Sequence, residues 1–186
     1  MKIYIKNMVC NRCKSAVRSI LESFDVHPES VELGEVELPE TIGKELLVDI
    51  DRRLRQEGFE LIDDRKSRLA EKVKNIIVEL VHERSNDLKT NLSDYITQRI
   101  PQDYSHISSI FSQVESVTIE QYYILQKIER VKELLVYDEL NLNEIAALLN
   151  YSSASHLTKQ FKKVTGLTPS YFKELREQKR RSIDNL

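Results

Sequence analysis

Apolar residues recur with two different periods in the first third of the chain, one typical of strands and one typical of helices. Ile3 and Ile5 stand between polar neighbours, which is the period of a half-buried strand. Apolar residues then recur at helical spacing over residues 16–24 and again over residues 42–54. Gly58 follows the second of these segments and is placed to end it. The pattern predicts a first strand followed by two amphipathic helices.

Three further strands are predicted around these helices, at residues 31–33, 36–38 and 59–62. Gly34 lies between the first two and predicts a tight turn. The element order is then βαββαβ. We therefore expect residues 1–64 to form a small ferredoxin-like module, with two helices on one face of an antiparallel sheet.

From Ser67 onward the hydrophobic period is helical throughout, which predicts an all-α domain over residues 67–186 and an α+β protein overall. A first helix is expected over residues 70–80, ending in the polar segment 83–87. Its inward stripe consists of Ala70, Val73, Ile77 and Leu80.

Residues 142–164 predict two short helices joined by a sharp turn. The first helix has one apolar stripe, formed by Leu142, Ile145, Ala146 and Leu149. Asn150 tolerates the left-handed backbone that a reversal requires, and Ser152 and Ser153 are favoured N-caps for the next helix. This spacing is typical of a helix-turn-helix.

The second of these helices has two chemically different faces. Leu157, Phe161 and Val164 are predicted to point inward. The opposite face offers hydroxyl groups, an imidazole and ammonium groups, which suit base edges and phosphates in a major groove. An ordinary amphipathic helix with a solvated basic face is the alternative interpretation of the same pattern.

The choice between these two interpretations is resolved by residues that resemble the signature of a known family. Residues 142–171 resemble the signature of the AraC/XylS family of transcription regulators at Glu144, Ile145, Ala146, Tyr151, Ser152, Leu157, Phe161, Lys162, Lys163, Gly166, Thr168, Pro169 and Tyr171. The resemblance implies two helix-turn-helix units, at about 88–117 and 142–164, joined by a long helix at about 118–137.

The resemblance also implies which side chains meet double-stranded DNA. The base-reading positions of the second unit are Ala154, Ser155, His156 and Lys159. Its phosphate contacts are expected at Thr158, Lys162 and Lys163. The corresponding positions of the first unit are Ser105, Ser108 and Ser109.

The first unit departs from the family pattern in its charge. Phe111-Ser112-Gln113 stands where the second unit has Phe161-Lys162-Lys163. Its outward face contains serines and no cation, so little counterion release is expected there. We therefore expect the second unit to dominate DNA binding.

Charge and composition limit the kinds of partner and activity that we expect for this protein. The net charge is −2, yet residues 156–181 contain eight Lys and Arg against two Glu. There is no leader pattern after Met1 and no apolar segment of about 18 residues, so we expect a cytoplasmic protein without a membrane partner. Phosphate-binding loops, nucleophile elbows and paired-His metal motifs are absent, so no enzyme is predicted.

Cys10 and Cys13 form a CxxC pair between the first strand and the first helix. Two neighbouring sulfurs favour soft ions, which makes Cu(I) or Zn(II) the candidate metals. With the βαββαβ order, the Met-x-Cys-x-x-Cys motif at 8–13 resembles the heavy-metal-associated domain of copper chaperones and transport ATPases. A reversible disulfide between the two cysteines and a purely structural role remain alternatives.

The sequence thus predicts a DNA-binding transcription regulator that responds to a metal or to redox state through its cysteine pair. RNA polymerase and a second copy of the chain are further candidate partners. A metal chaperone whose helical domain docks a protein partner is the competing hypothesis. A thiol oxidoreductase using Cys10 and Cys13 is a third.

Overall fold

The computed structural model describes residues 1–39, 41–62, 64–83, 86, 88, 90–137 and 139–181, with side chains as far as residue 175. The chain folds into two compact bodies. The N-terminal body comprises Met1–Ile76 and Ile100–Thr118, and the C-terminal body comprises Ile77–Arg99 and Ile119–Leu186. The predicted basic side chains at 176 and 179–181 lie outside the described residues.

The first elements follow the predicted βαββαβ order. They are β1 (Lys2–Lys6), α1 (Asn11–Glu22), β2 (Ser30–Glu32), β3 (Glu35–Glu37), α2 (Lys44–Gln56) and β4 (Glu60–Leu61). The strands form one antiparallel sheet in the order β2-β3-β1-β4, with Ile3 opposite Val36 and Ile5 opposite Leu61.

The core of this part follows from the sequence periods. Alternate strand residues such as Ile3, Ile5 and Val36 are buried, and they pack with the apolar stripes of α1 and α2. The buried helix positions are Val17, Ile20, Leu21, Ile50 and Leu54. Burial of these side chains is the main term that stabilises the small sheet.

Helix α3 spans Arg65–Val78 and continues as one π-helical turn over Glu79–Glu83. Its predicted inward stripe is confirmed, since Ala70, Val73, Ile77 and Leu80 are all fully buried. The predicted polar end of this helix at 83–87 falls partly outside the described residues.

The described residues after 90 form only helices, as predicted. These are α4 (Leu92–Thr97), α5 (Tyr104–Glu115), α6 (Ile119–Tyr137), α7 (Leu142–Leu148), α8 (Ala154–Thr165) and α9 (Pro169–Arg181). The predicted long helix is α6, with 19 residues. None of the helices in the described ranges has the length and apolar character needed to cross a bilayer. Helix α5 belongs to the N-terminal body, and the other five helices belong to the C-terminal body.

Gly34 makes the tight turn between β2 and β3. Its φ is +80°, a left-handed conformation that favours glycine. A Cβ placed there would lie 2.5 Å from Nδ2 of Asn75, whose amide donates to the carbonyl of Leu33 at 2.9 Å. The turn therefore requires glycine both for its backbone and for the close approach of α3.

Lys127 on α6 is buried in the C-terminal body, with 7% of its surface exposed. Its Nζ lies 3.7 Å from the ring centroid of Tyr151 and 5.3 Å from that of Tyr123. It makes no ion pair with a carboxylate in the part of the chain that the structure describes. Burial lowers the pKa of Lys127 to about 8, while the two ring faces favour its charged form.

Gly34→Ala is expected to lower the free energy of unfolding by about 2–3 kcal/mol, because it combines a strained φ with a clash against Asn75. Gly58→Ala is the matched control, since Gly58 has a φ of +84° and no neighbour within 4 Å of a built Cβ. It should cost only about 1 kcal/mol. Urea unfolding compares the two, and equal losses would contradict the close approach at Gly34.

Lys127→Met is expected to raise the free energy of unfolding at pH 7 by about 1–3 kcal/mol, because it removes a buried charge. The pKa of Lys127 is lower in the folded state, so the unfolded chain binds more protons between pH 8 and 10.5. Wild-type stability then rises with pH in that window, and the gain from Lys127→Met should shrink.

Urea unfolding at pH 7 and 9.5 measures this dependence. Lys132→Met on the same helix is the control, since Lys132 is less deeply buried and its ammonium lies 2.7 Å from Glu129. A gain for Lys127→Met that is equal at both pH values would show that a buried charge is not its cause.

Candidate nucleic-acid interface

The short helix α7 is fixed at its start by a capping box. The Asn141 side chain accepts hydrogen bonds from the backbone N–H groups of Asn143 and Glu144 at 3.0 and 3.1 Å. Glu144 returns the contact by accepting from the Asn141 N–H at 2.6 Å. These bonds satisfy donors that a helix start leaves without partners. The Glu144 that resembles the family signature thus has a local structural role.

The turn after α7 has the predicted left-handed residue. Asn150 has a φ of +56°, and the next N–H, that of Tyr151, donates to the carbonyl of Ala146 at 2.8 Å. Ala146 is buried, as expected where two helices cross closely. The stripe predicted for α7 is confirmed as well, with Ile145 and Leu149 fully buried and Leu142 half-buried.

Helix α8 is capped by the predicted Ser153, whose hydroxyl accepts from the His156 N–H at 3.1 Å. Leu157 and Phe161 are fully buried, as predicted. The inward position predicted for Val164 is wrong, because its side chain is 37% exposed. Val164 lies in the last turn of α8, where the ring of Phe161 instead makes the apolar contact, 5.7 Å from the ring of Phe172.

The opposite face of α8 presents the predicted site residues to solvent. The exposed members are Ser155, His156, Lys159, Lys162 and Lys163, and the half-buried members are Ala154 and Thr158. The three lysines form no ion pair with any carboxylate among the described residues. The face therefore offers hydrogen-bond donors near the start of the helix and unneutralised cations toward its end.

The imidazole of His156 is held by the turn before the helix. The Ser152 hydroxyl lies 3.0 Å from its Nδ1, and the Tyr151 ring meets it edge-on at 5.4 Å between centroids. These contacts fix the ring, and Nε2 has no hydrogen-bond partner among the described residues. The face of Tyr151 also contacts the ammonium of Lys127.

Sequence reasoning missed Lys127, although a signal was present. Lys127 lies eight residues after Ile119 and four before Val131, both of which are buried on α6. The helical period therefore places a lysine on the inward face of that helix.

Helices α5 and α8 are related by a constant offset of 50 residues. Each has 12 residues, from Tyr104 and Ala154 respectively. The N-caps of the preceding helices, Asn91 and Asn141, keep the same offset. The left-handed C-caps keep it too, since Ser116 has a φ of +59° and Gly166 a φ of +78°. Ser116 thus adopts the backbone of the glycine that the first unit lacks.

The predicted site residues of α5 are engaged within the helix. The Ser105 hydroxyl donates to the carboxylate of Asp103, which also caps the helix. The Ser109 hydroxyl accepts from Nε2 of Gln113 at 3.3 Å. Ser108 is half-buried. Asp103 adds a negative charge beside this face, where the second unit has the neutral Ser153.

Cys10 and Cys13 lie together at the start of α1, with 3.4 Å between their Sγ atoms. Both are half-buried. The backbone N–H of Cys13 lowers the pKa of the Cys10 thiol, aided by the Cys13 side chain and Arg12 and opposed by burial. Met8 is fully buried in the core. Across the described ranges, no three His, Cys, Asp or Glu side chains are grouped to hold a metal ion.

Comparison with known proteins identifies the helical part. A family model described as a helix-turn-helix domain matches residues 96–175, which is less than half of the chain. An uncharacterized HTH-type transcriptional regulator of Bacillus subtilis, YtdP, is 25% identical over 134 residues, covering 71% of this chain and 17% of YtdP. The melibiose operon regulatory protein of Escherichia coli is 24% identical over 88 residues, covering 47% of this chain and 29% of the relative.

A solved structure also has a fold similar to that of this chain. The C-terminal domain of AraT, a response regulator from Geobacillus stearothermophilus, is similar with a TM-score of 0.51 and 20% identity. The similarity covers 60% of this chain and 88% of that domain. Residues 96–175 therefore match a helix-turn-helix domain, and the relatives with which the chain aligns are transcription regulators.

Proposed function

We propose that this protein is a sequence-specific DNA-binding transcription regulator, with α8 as its main reading helix. The observation that carries the proposal is the exposed face of α8, where Lys159, Lys162 and Lys163 are free of ion pairs with described carboxylates. A helix of 12 residues is about 18 Å long and fits a major groove. The matched family model supports the same function.

Different residues of α8 have different roles in this proposal. Ser155, His156 and Lys159 contact base edges, because they lie toward the start of the helix, which enters the groove in helix-turn-helix proteins. Lys162 and Lys163 neutralise phosphates, release counterions and add affinity without reading sequence. The family resemblance adds Ala154 to the base-reading positions and Thr158 to the phosphate contacts.

The first helix-turn-helix unit takes part as a weaker partner. Helix α5 keeps the length and caps of α8, which supports a second groove contact. Its serines are engaged with Asp103 and Gln113, and its reading face has no cation of its own. RNA polymerase and a second copy of the chain stay predictions from the sequence.

Lys159→Ala is expected to weaken binding to the preferred DNA site by about 10-fold to 100-fold, as loss of a base contact does. The preference at one or two base pairs should relax at the same time. Selection of a site from random DNA, followed by fluorescence anisotropy on that site and its single-base variants, measures both effects.

Lys162→Ala serves as a contrast and Lys44→Ala as a charge-matched control. Lys162→Ala should weaken binding to all sequences alike, because a phosphate contact is not sequence-specific. Lys44 is exposed at the start of α2 and is not one of the proposed contact residues, so its loss should change nothing beyond the general charge effect. If Lys159→Ala keeps the wild-type base preference, Lys159 does not read bases.

A second function, sensing through Cys10 and Cys13, is favoured by their geometry. Their sulfurs lie 3.4 Å apart, at a helix start that lowers the pKa of the Cys10 thiol. The pair suits one soft ion, Cu(I) or Zn(II), held by two thiolates. The βαββαβ order and the sheet order β2-β3-β1-β4 support a ferredoxin-like module similar to heavy-metal-associated domains.

Oxidation to a disulfide is the alternative chemistry for the same pair. The two thiols would lose two hydrogens to a thiol–disulfide reagent or a peroxide, and the sulfurs would close to about 2 Å. Either event would change the loop that connects β1 to α1. A metal chaperone without DNA binding is the competing function, and it predicts metal binding with no specific DNA site.

Anaerobic titration of the reduced full chain with Cu(I) is expected to give one ion per chain and a thiolate-to-copper absorbance. Cys10→Ser and Cys13→Ser should each abolish the absorbance, because two sulfurs are required. A Zn(II) titration of the same samples compares the two candidate metals. Saturation without thiolate absorbance, or binding that survives both serine variants, would exclude the cysteines as ligands. Mass spectrometry after mild oxidation tests the disulfide instead.

A further inference from the structure

A cationic cleft lies beside α5 within the N-terminal body. It has a volume of about 690 Å³ and lies between the first turns of α3, one side of α5 and strand β1. Arg65, Leu69 and Lys72 on α3 share one helix face at i, i+4 and i+7 and line it together. His106 and Ile110 on α5 form the opposite wall.

The charge of this cleft is strongly positive. Arg65, Lys66 and Lys72 are exposed and form no ion pair with a carboxylate in the described ranges. The one carboxylate in the lining, that of Glu35, lies 2.5 Å from the Lys2 ammonium and is thereby neutralised. Among the described residues, no carboxylate therefore neutralises these three cations or explains their grouping.

One of the cations reaches α5 itself. The Lys66 ammonium donates to Oε1 of Gln113 at 3.1 Å, and Nε2 of Gln113 donates to the Ser109 hydroxyl at 3.3 Å. Gln113 corresponds to Lys163 in the 50-residue register between α5 and α8. Lys66 thus brings a positive charge to the place where α8 has a lysine of its own.

We propose that Arg65, Lys66 and Lys72 on α3 contact phosphates of the DNA that α5 enters, and so replace the cations missing from α5. This inference rests on the proposed DNA-binding function. It revises the expectation that the first unit is electrostatically poor, because the cations come from a helix that precedes the unit in sequence. Gln113 links Lys66 to Ser109, a predicted base-reading residue, so a phosphate bound by Lys66 would border the bases that α5 faces.

The arrangement of the cations favours a nucleic-acid backbone over a small oxyanion. Arg65 and Lys72 are two helical turns apart, roughly 10 Å along the axis of α3. A single phosphate or carboxylate cannot span that distance, whereas successive phosphates of one strand can. All three side chains also face open solvent, as a contact to an extended polyanion requires.

The salt dependence of DNA affinity tests this proposal. The slope of log K against log salt concentration is negative, and each lost phosphate contact reduces its magnitude by about 0.9. Lys66→Gln and Lys72→Gln should each show this decrease on the selected DNA site and on non-specific DNA, and the double variant should lose about 2. Lys44→Gln, which removes an exposed charge from α2, should leave the slope unchanged.

A variant that moves the positive charge from Lys66 to position 113 makes the test specific. Gln113→Lys, combined with Lys66→Gln, returns the cation to the position that α8 uses and should restore the wild-type slope. Gln113→Lys combined with Lys72→Gln is the control for a mere gain of charge. Relative to Lys72→Gln alone, the slope of this control should steepen by no more than the amount by which Gln113→Lys steepens the slope of the wild type.

The outcomes separate this inference from the function on which it rests. If the wild type selects no DNA site, the proposed function itself fails. If it binds DNA and the α3 variants keep the wild-type slope, the α3 contacts are refuted while the function stands. A calorimetric titration with inorganic phosphate tests a small oxyanion as the ligand. Saturable phosphate binding that Lys66→Gln removes, together with a wild-type salt dependence of DNA affinity in that variant, would assign the cleft to a small oxyanion instead.

Discussion

The N-terminal body depends on one buried carboxylate, that of Glu71 on α3. Glu71 is 3% exposed, and a buried charge without partners would destabilise the fold by several kcal/mol. It accepts from the Asn7 N–H at 2.7 Å and lies 3.0 Å from the Lys74 ammonium, which in turn lies 3.6 Å from Glu115. The loop after β1, helix α3 and the end of α5 therefore each contribute to one buried network. This shared network explains why α5 groups with the small sheet.

The 50-residue relation shows how one backbone frame accommodates two chemistries. Helices α5 and α8 share length and caps, but Asp103 replaces Ser153 and Ser116 replaces Gly166. A carboxylate at a helix start stabilises the helix through its dipole, yet it repels phosphate. The first unit therefore combines the same helix length and caps with an unfavourable charge for the proposed phosphate contact, and nearby cations matter more for it than for the second unit.

Much of the fold and of the candidate site could be predicted, because it follows from hydrophobic periods and from turn and cap residues that act locally. Strand and helix periods give the βαββαβ order, and Asn150 and Ser153 give the turn and the cap of the second unit. Two features were not predicted in this way. Val164 has the right period but lies in a last helical turn that leaves it exposed, and Lys127 is polar on an inward face. The cations beside α5 were missed because no local pattern tells that α3 and α5 belong to the same body.

The pairing of charges explains how a chain of net charge −2 can present cationic surfaces. On α2 the arginines are neutralised locally, as Arg52 lies 2.8 Å from Asp49 and Arg55 lies 2.7 Å from Asp51 and 2.8 Å from Glu60. Such pairs add little stability at a surface, but they cancel the field that α2 would otherwise produce. The lysines of α8 and the outer cations of α3 have no such partners among the described residues. Because attraction of a polyanion depends on local unpaired charge, these two helices are where the proposed function places its phosphate contacts, whatever the net charge of the chain.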